Sequence, residues 1–339
     1  MNEAWTTAKE PLLLLVGLGG IGYLARRRGW LSRRSEEELT QLLYRLTVPA
    51  LIFVNTVQRL DRSMLLDGLV VLLLSVFLAG AGLAVGLTVA RLGRLPGLTQ
   101  GAFAVASAFP NTLFLGLPVC VAVLGPEAVP LVVLYDFGTS LVFWTVGIQV
   151  LQGRGLPGFV LPRVSAAAPQ IAPAKGAGEG GTGERMVAGW RRLLLNPNLA
   201  ALLAGALLVL AGARLPSSLL VPLEKLGQVT VPVALLLIGS LFAGLNGGGG
   251  SWFPVLGIVS LRMLALPALA FLLGILFLPA GSLAARVVLV EAAMPTMTMS
   301  ALYAEALGGE TSTAVRGVVA TVLFSLVQLP FVGWLATLL

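Results

Sequence analysis

Two carboxylic acids stand in stretches that otherwise carry no charge. Asp136 lies between Leu-Val-Val-Leu-Tyr and Phe-Gly-Thr-Ser-Leu-Val, and Glu291 lies one helical turn before Pro295. Two short strings join a proline to side chains that donate hydrogen bonds: Pro110-Asn111-Thr112 and Pro295-Thr296-Met297-Thr298. Histidine is absent and Cys120 is the single cysteine, which excludes disulfides, zinc sites and Ser-His or Cys-His catalysis. The chemistry left is non-covalent: amides and hydroxyls that can hold an anion, and acids that can hold a proton. Tyr135-Asp136 by itself would suit an intramembrane aspartyl protease. That reaction needs two carboxyls sharing a proton, only Glu291 could be the second, and no Gly-x-Gly-Asp string follows. An enzyme is not expected, nor any cofactor or bound metal.

The elements that must position these residues follow from composition. Of 339 residues, 57% are apolar and 11% charged, under half the roughly 25% charged share of a soluble domain. Mean hydropathy is +0.94. So little charge cannot cover a water-facing surface, and the fold class is an all-α polytopic membrane protein. The net charge of +7 comes without a basic stripe interleaved with aromatics, so no nucleic-acid partner is expected. Apolar runs near the roughly 20 residues that cross hydrocarbon fall at 5–25, 39–57, 64–90, 98–124, 128–151, 193–213, 219–245, 252–279, 283–307 and 313–339. These predict ten spans. The first is read as a retained helix and not a signal peptide, because Arg26-Arg27-Arg28 stands where a small-residue cleavage site would be.

Residues 152–192 are rich in glycine and proline and lack apolar periodicity, which predicts a flexible linker. It divides the chain into 1–151 and 193–339, each with five spans. Of the 22 cations, fourteen fall in the linker and other loops of one side, six on the opposite side, and Arg45 and Arg262 inside spans. By the positive-inside rule the linker is cytoplasmic and both termini lie outside, in a cell (inner) membrane.

Similar strings recur across the two halves. Pro11 and Pro197, Thr47-Val48-Pro49-Ala50 and Thr230-Val231-Pro232-Val233, and Ala108-Phe109-Pro110 and Ala293-Met294-Pro295 stand at offsets of 186, 183 and 185 residues. Five spans is an odd number, so a second copy enters the membrane from the opposite face. An inverted repeat of this kind is the plan of many secondary transporters. The fourth and ninth spans, with prolines near mid-membrane, are expected to break at Pro110 and Pro295, because proline lacks an N–H and clashes one turn back. Pro49, Pro118 and Pro232 are further expected helix breaks. The half-helix after each mid-membrane break would aim unpaired N–H groups and positive dipole at the place where the halves meet. A carboxylate suits that place.

A carboxylate at mid-bilayer costs about 2.5–3.5 kcal/mol on insertion scales, so Asp136 should face the interior with a partner or a task. Asp136 and Glu291 are candidates for ion coupling; the alternatives are a structural ion pair or cap for Asp136 and a steadied broken helix for Glu291. Glu305 lies near a span end, within reach of water. Arg45 could draw a substrate carboxylate or neutralise Asp136, but snorkelling to the interface is favoured for it, as for Arg262. Met294, Met297 and Met299 could form an adaptable apolar wall or ordinary packing.

The sequence resembles the auxin efflux carrier family over essentially its whole length. The similarity is carried by Gly22-Tyr23-Leu24, Arg26 through Leu31, Val48 through Phe53, Pro110-Asn111-Thr112, Gly116-Leu117-Pro118, Tyr135-Asp136-Phe137-Gly138, Asn196-Pro197 and Ala293-Met294-Pro295-Thr296. The resemblance implies ten helices in two inverted repeats, with the fourth and ninth crossing as broken helices. It implies a scaffold of spans 1, 2, 6 and 7 and a transport bundle of spans 3–5 and 8–10, moving as an elevator, commonly in a homodimer. Implied substrates are organic anions such as indole-3-acetate, malate or malonate. Many members have an asparagine soon after the ninth-span proline, where this chain has Thr296, Met297, Thr298, Met299 and Ser300; its donors there are hydroxyls.

The sequence thus predicts a secondary transporter for a carboxylate-bearing solute, bound by Pro110, Asn111, Thr112, Pro295, Thr296 and Thr298. Asp136 and Glu291 would serve coupling, and Arg45 and Tyr135 a charge or structural role. Proton coupling is the first expectation. A sodium-coupled symporter of the bile-acid type and a passive anion channel are the alternatives.

Overall fold

The computed structural model describes residues 17–59, 64–153, 197–213, 215–244, 251–306, 310–336 and 339. The linker expected at 152–192 lies almost wholly outside them, as does the first part of the first span. Among the described residues every regular element is helical, and the single extended contact is an isolated antiparallel bridge between Pro110 and Thr296.

We number the helices in chain order. Residues 17–27 form α1. Then come α2 (Arg33–Leu42), α3 (Val48–Arg59), α4 (Met64–Leu92), α5 (Gly97–Ala108), α6 (Leu117–Leu124), α7 (Val129–Val142) and α8 (Ile148–Leu151). After the linker region come α9 (Pro197–Leu210), α10 (Ser217–Gln228), α11 (Thr230–Gly244), α12 (Phe253–Val259), α13 (Leu266–Phe277), α14 (Leu283–Ala292), α15 (Met299–Ala306) and α16 (Thr311–Ala336). Wider π-helical turns at Leu43–Thr47, Thr112–Gly116, Phe143–Gly147 and Ser260–Ala265 join α2 to α3, lead into α6, join α7 to α8 and join α12 to α13.

Among the described residues, five stretches are long and apolar enough to cross a membrane: Leu66–Leu92, Pro126–Leu151, Ser217–Leu237, Phe253–Phe277 and Thr311–Ala336. They coincide with five of the expected runs. Thr112–Leu124 and Pro197–Leu210 are shorter apolar helices. Large apolar side chains stand exposed along these surfaces, among them Leu66, Phe77 and Leu92 of α4 and Val327 of α16. In water that would be a liability; in hydrocarbon it is the solvated face.

Three further prolines expected to break helices do not all behave alike. At Pro49 and Pro118 the helix runs on, and this corrects the sequence reading. Each proline follows a π-helical turn by two residues, as Pro267 does, and the wider turn accommodates the missing donor and the ring. At Pro232 the helix is interrupted upstream, at Val229, where α10 passes into α11.

The helices pack in two sets. Helix α3 lies against α9 and α10, and α2 against α11. Helices α1 and α11 approach backbone to backbone: a Cβ on Gly22 would strike the Leu236 carbonyl, and one on Gly239 would strike Gly19. Small residues permit that closeness in membranes, where packing must supply what the hydrophobic effect does not. A polar knot, buried at Glu36 and Ser240, ties the same set together. Glu36 of α2 meets Arg26 at 3.4 Å and accepts a hydrogen bond from Ser240 of α11. In the second set α4 packs on α5 and α7, α12 and α15 pack on α16, and α14 touches α4, α6, α13 and α16. Contacts of α7 with α3 and α9, and of α6 with α11, join the sets.

Candidate functional site at two interrupted helices

Helix α5 stops at Ala108 because Pro110 is two residues on. Proline forces its predecessor out of helical geometry, and Phe109 is extended, at φ −102° and ψ 117°. Helix α14 stops at Ala292, three residues before Pro295, with Met294 N–H still bonded back to Glu291 O at 3.1 Å. The two freed strands pair with each other. Asn111 N–H donates to Pro295 O at 2.8 Å and Met297 N–H donates to Phe109 O at 2.9 Å. Backbone groups released by both prolines are thereby satisfied inside the protein, the condition for irregular backbone at membrane depth.

Beyond the bridge each chain becomes helical again. Gly116 N–H closes the first turn on Asn111 O at 2.9 Å, so the N–H groups of Thr112 through Leu115 precede any intrahelical acceptor. A helix start of this kind favours negative charge. On the other strand Ser300 N–H bonds Met297 O at 3.0 Å as α15 begins.

Side chains cross-link the junction. Asn111 Nδ2 donates to Thr298 Oγ1 at 3.0 Å, joining the two strings singled out from sequence. Thr112 donates its hydroxyl to Asp136 of α7, whose backbone carbonyl accepts from Thr139 at 2.9 Å. Thr296 has its hydroxyl on Ala106 O at 2.7 Å and its N–H on Thr321 Oγ1 at 3.1 Å, so both groups are engaged within the protein. Pro110, Pro295, Asn111 and Thr112 are buried, and Thr298 and Met297 are half-buried at the edge of the junction.

Glu291 lies fully buried against α6. Cys120 Sγ donates to its Oε1 at 3.4 Å, and Oε2 has no hydrogen-bond partner among the described residues. Gly116 sits against this carboxylate, where a Cβ would meet it unless the Glu291 side chain moved. The segment Thr112–Leu124 therefore touches both acids, Asp136 through Thr112 and Glu291 through Cys120 and Gly116. Tyr135 is buried in the apolar core, near enough to Arg262, Glu291 and Cys120 to interact with them electrostatically. Arg45 is exposed on the π-helical turn between α2 and α3. Met294 is buried in the core, whereas the side chains of Met299 and Glu305 lie outside the described residues.

Arg262 corrects the snorkelling expectation. It is 2% exposed, and its guanidinium donates to Ala108 O at 2.9 Å and to Ala292 O, the last residues of both interrupted helices. Its place, well inside the 252–279 run, was the available signal. Thr321 gave none: a threonine in an apolar helix ordinarily bonds its own preceding turn, as Thr321 also does to Gly317 O at 2.8 Å. An aromatic cluster likewise emerges only in three dimensions. Phe109 packs edge-on against Phe143 at 5.2 Å, and Phe143 meets Trp144 and Tyr303 at 5.3 and 5.4 Å, linking the first break to α15.

Comparison with known proteins finds relatives over nearly the whole chain. The chain is 28% identical over 327 residues to an uncharacterized transporter of Methanothermobacter thermautotrophicus, covering 95% of this chain and 96% of that protein. It is 25% identical over 338 residues to an uncharacterized transporter of Methanocaldococcus jannaschii, covering 96% and 98%. A family described as membrane transport protein matches residues 7–333. The chain belongs to that membrane transport protein family, the family of the auxin efflux carriers, and is a multi-pass membrane protein.

Proposed function

We propose that the chain is a secondary carrier that moves a carboxylate-bearing solute by alternating access. The observation that carries this reading is the bridge between Pro110 and Thr296, where two interrupted helices meet and Asn111, Thr112 and Thr298 gather beside the start of a new helix. Amide, hydroxyl and backbone N–H donors at a helix start suit an anion. Asp136, tied to Thr112, is the group we assign to proton exchange, with Glu291 as the second. In this reading ten spans form two inverted five-span halves, 1–151 and 193–339, joined by a cytoplasmic linker. Spans 1, 2, 6 and 7 are the scaffold, the rest move as an elevator, and the protein is a homodimer in the cell membrane.

The test is a thermal-shift screen of detergent-purified protein against carboxylates, indole acids and their neutral amides, with and without sodium. Binding to the folded state raises the melting temperature with concentration. A rise from an acid but not from its amide is the expected result. A rise from a neutral solute, with none from any anion, would leave a carrier whose substrate class is different.

A further inference from the structure

The C-terminus of a helix presents unpaired carbonyls and partial negative charge. In carriers built from discontinuous helices such ends hold the coupling cation. Two such ends converge here on one side chain. Arg262 reaches from the π-helical turn Ser260–Ala265, and its two terminal nitrogens donate one each to Ala108 O and Ala292 O. The turn that presents it is itself held, because Gln328 of α16 donates to the Met263 carbonyl. Among the described residues no carboxylate lies within ion-pair distance of Arg262; Glu291 and Tyr135 act on it electrostatically from farther off, and its direct hydrogen bonds go to the helix ends. Ala108 directly precedes the bridged strand at 109–111 and Ala292 stands three residues before Pro295, so the guanidinium ties the two segments together where they enter the bridge.

We propose that Arg262 is a resident cation. It is a positioning residue that neutralises the two convergent helix ends, holds 109–111 against 295–297, and takes the place at these carbonyls that an inorganic cation would otherwise fill. A planar guanidinium can serve two acceptors at once, which the single ammonium of lysine does less well. Within the carrier reading, and resting on it for this consequence alone, sodium has no role at these carbonyls and coupling falls to the acids.

Hydrogen exchange by mass spectrometry on the purified full-length protein tests the proposal. R262M should raise exchange about tenfold at both bridged segments, those containing Asn111 and Met297, and R262K should fall between R262M and the unaltered protein. Change at neither segment, or at one alone, in a folded R262M would overturn it, as would an R262K no better protected than R262M. The unaltered protein supplies a test that needs no variant. Replacing sodium chloride by choline chloride at constant ionic strength should leave its melting temperature within about 1 °C. A saturable rise with sodium, accompanied by slower exchange at both bridged segments, would show that a mobile cation serves these carbonyls. None of these readouts uses a solute, so their failure and that of the carboxylate screen are separate results.

Discussion

Asn111 and Thr112 are neighbours in sequence with different partners: Asn111 reaches across the bridge to Thr298, and Thr112 turns to Asp136. That division predicts separable effects. Asn111→Ala should abolish the ligand-induced rise in melting temperature while leaving the unliganded protein folded. The loss of one hydrogen bond to a charged ligand corresponds to about tenfold to a hundredfold in affinity. Retained affinity would move the site elsewhere. Asp136→Asn keeps an acceptor for the Thr112 hydroxyl but removes the group that exchanges a proton. Uptake by the variant in proteoliposomes should lose its dependence on external pH while binding persists, and an unaltered pH profile would assign Asp136 to structure. Both residues were visible in the sequence because a carboxyl or an amide amid apolar residues needs a reason to be there. Arg262 is equally visible, but sequence cannot say whether a long cation bends toward water or toward a carbonyl.

At the scale of elements, proline has two outcomes in this protein, and local geometry selects between them. At Pro110 and Pro295 helical backbone ends and a strand forms; at Pro49, Pro118 and Pro267 a preceding π-helical turn lets the helix continue. The first outcome depends on a partner strand to receive the freed groups, which only the other half of the chain supplies. The helix that resumes after Pro110 is fitted closely to Glu291, with Gly116 against the carboxylate. Gly116→Ala should therefore overpack this contact and destabilise the protein by about 1–3 kcal/mol, read as a lower melting temperature. An unchanged value would mean that the Glu291 side chain can swing aside.

For the whole molecule, the packing of α1–α3 with α9–α11 and of α4–α8 with α12–α16 draws each set of helices from both parts of the sequence. Few elements join the sets, chiefly α7 on α3 and α9, and α6 on α11. If one set slides on the other during transport, a covalent cross-link between α3 and α7 should stop flux while the thermal response to solute remains. Flux that survives an efficient cross-link would argue against movement at that interface. The exposed apolar faces of α4 and α16 are consistent with lipid around the assembly, and the Arg26–Glu36–Ser240 knot with a set that moves as one piece.

Composition and run length were enough to establish a helical membrane protein, and five of the long apolar helices stand where the runs lie, because hydrocarbon demands a minimum length of uncharged helix and leaves that demand in the sequence. The mid-span prolines marked both interruptions, since a missing N–H and a fixed ring act on their immediate neighbours, but the same signal at Pro49 and Pro118 stands in helices that run on. Partnership was not legible. That Phe109–Asn111 would pair with 295–297, that Thr296 would turn inward to Ala106 and Thr321, that Cys120 and Gly116 would enclose Glu291, and that Arg262 would hold Ala108 and Ala292 together all depend on contacts between residues far apart in sequence. Hydropathy and propensity are properties of a stretch of chain. Hydrogen bonding between two stretches is decided by their approach in space, and only the folded molecule fixes that approach.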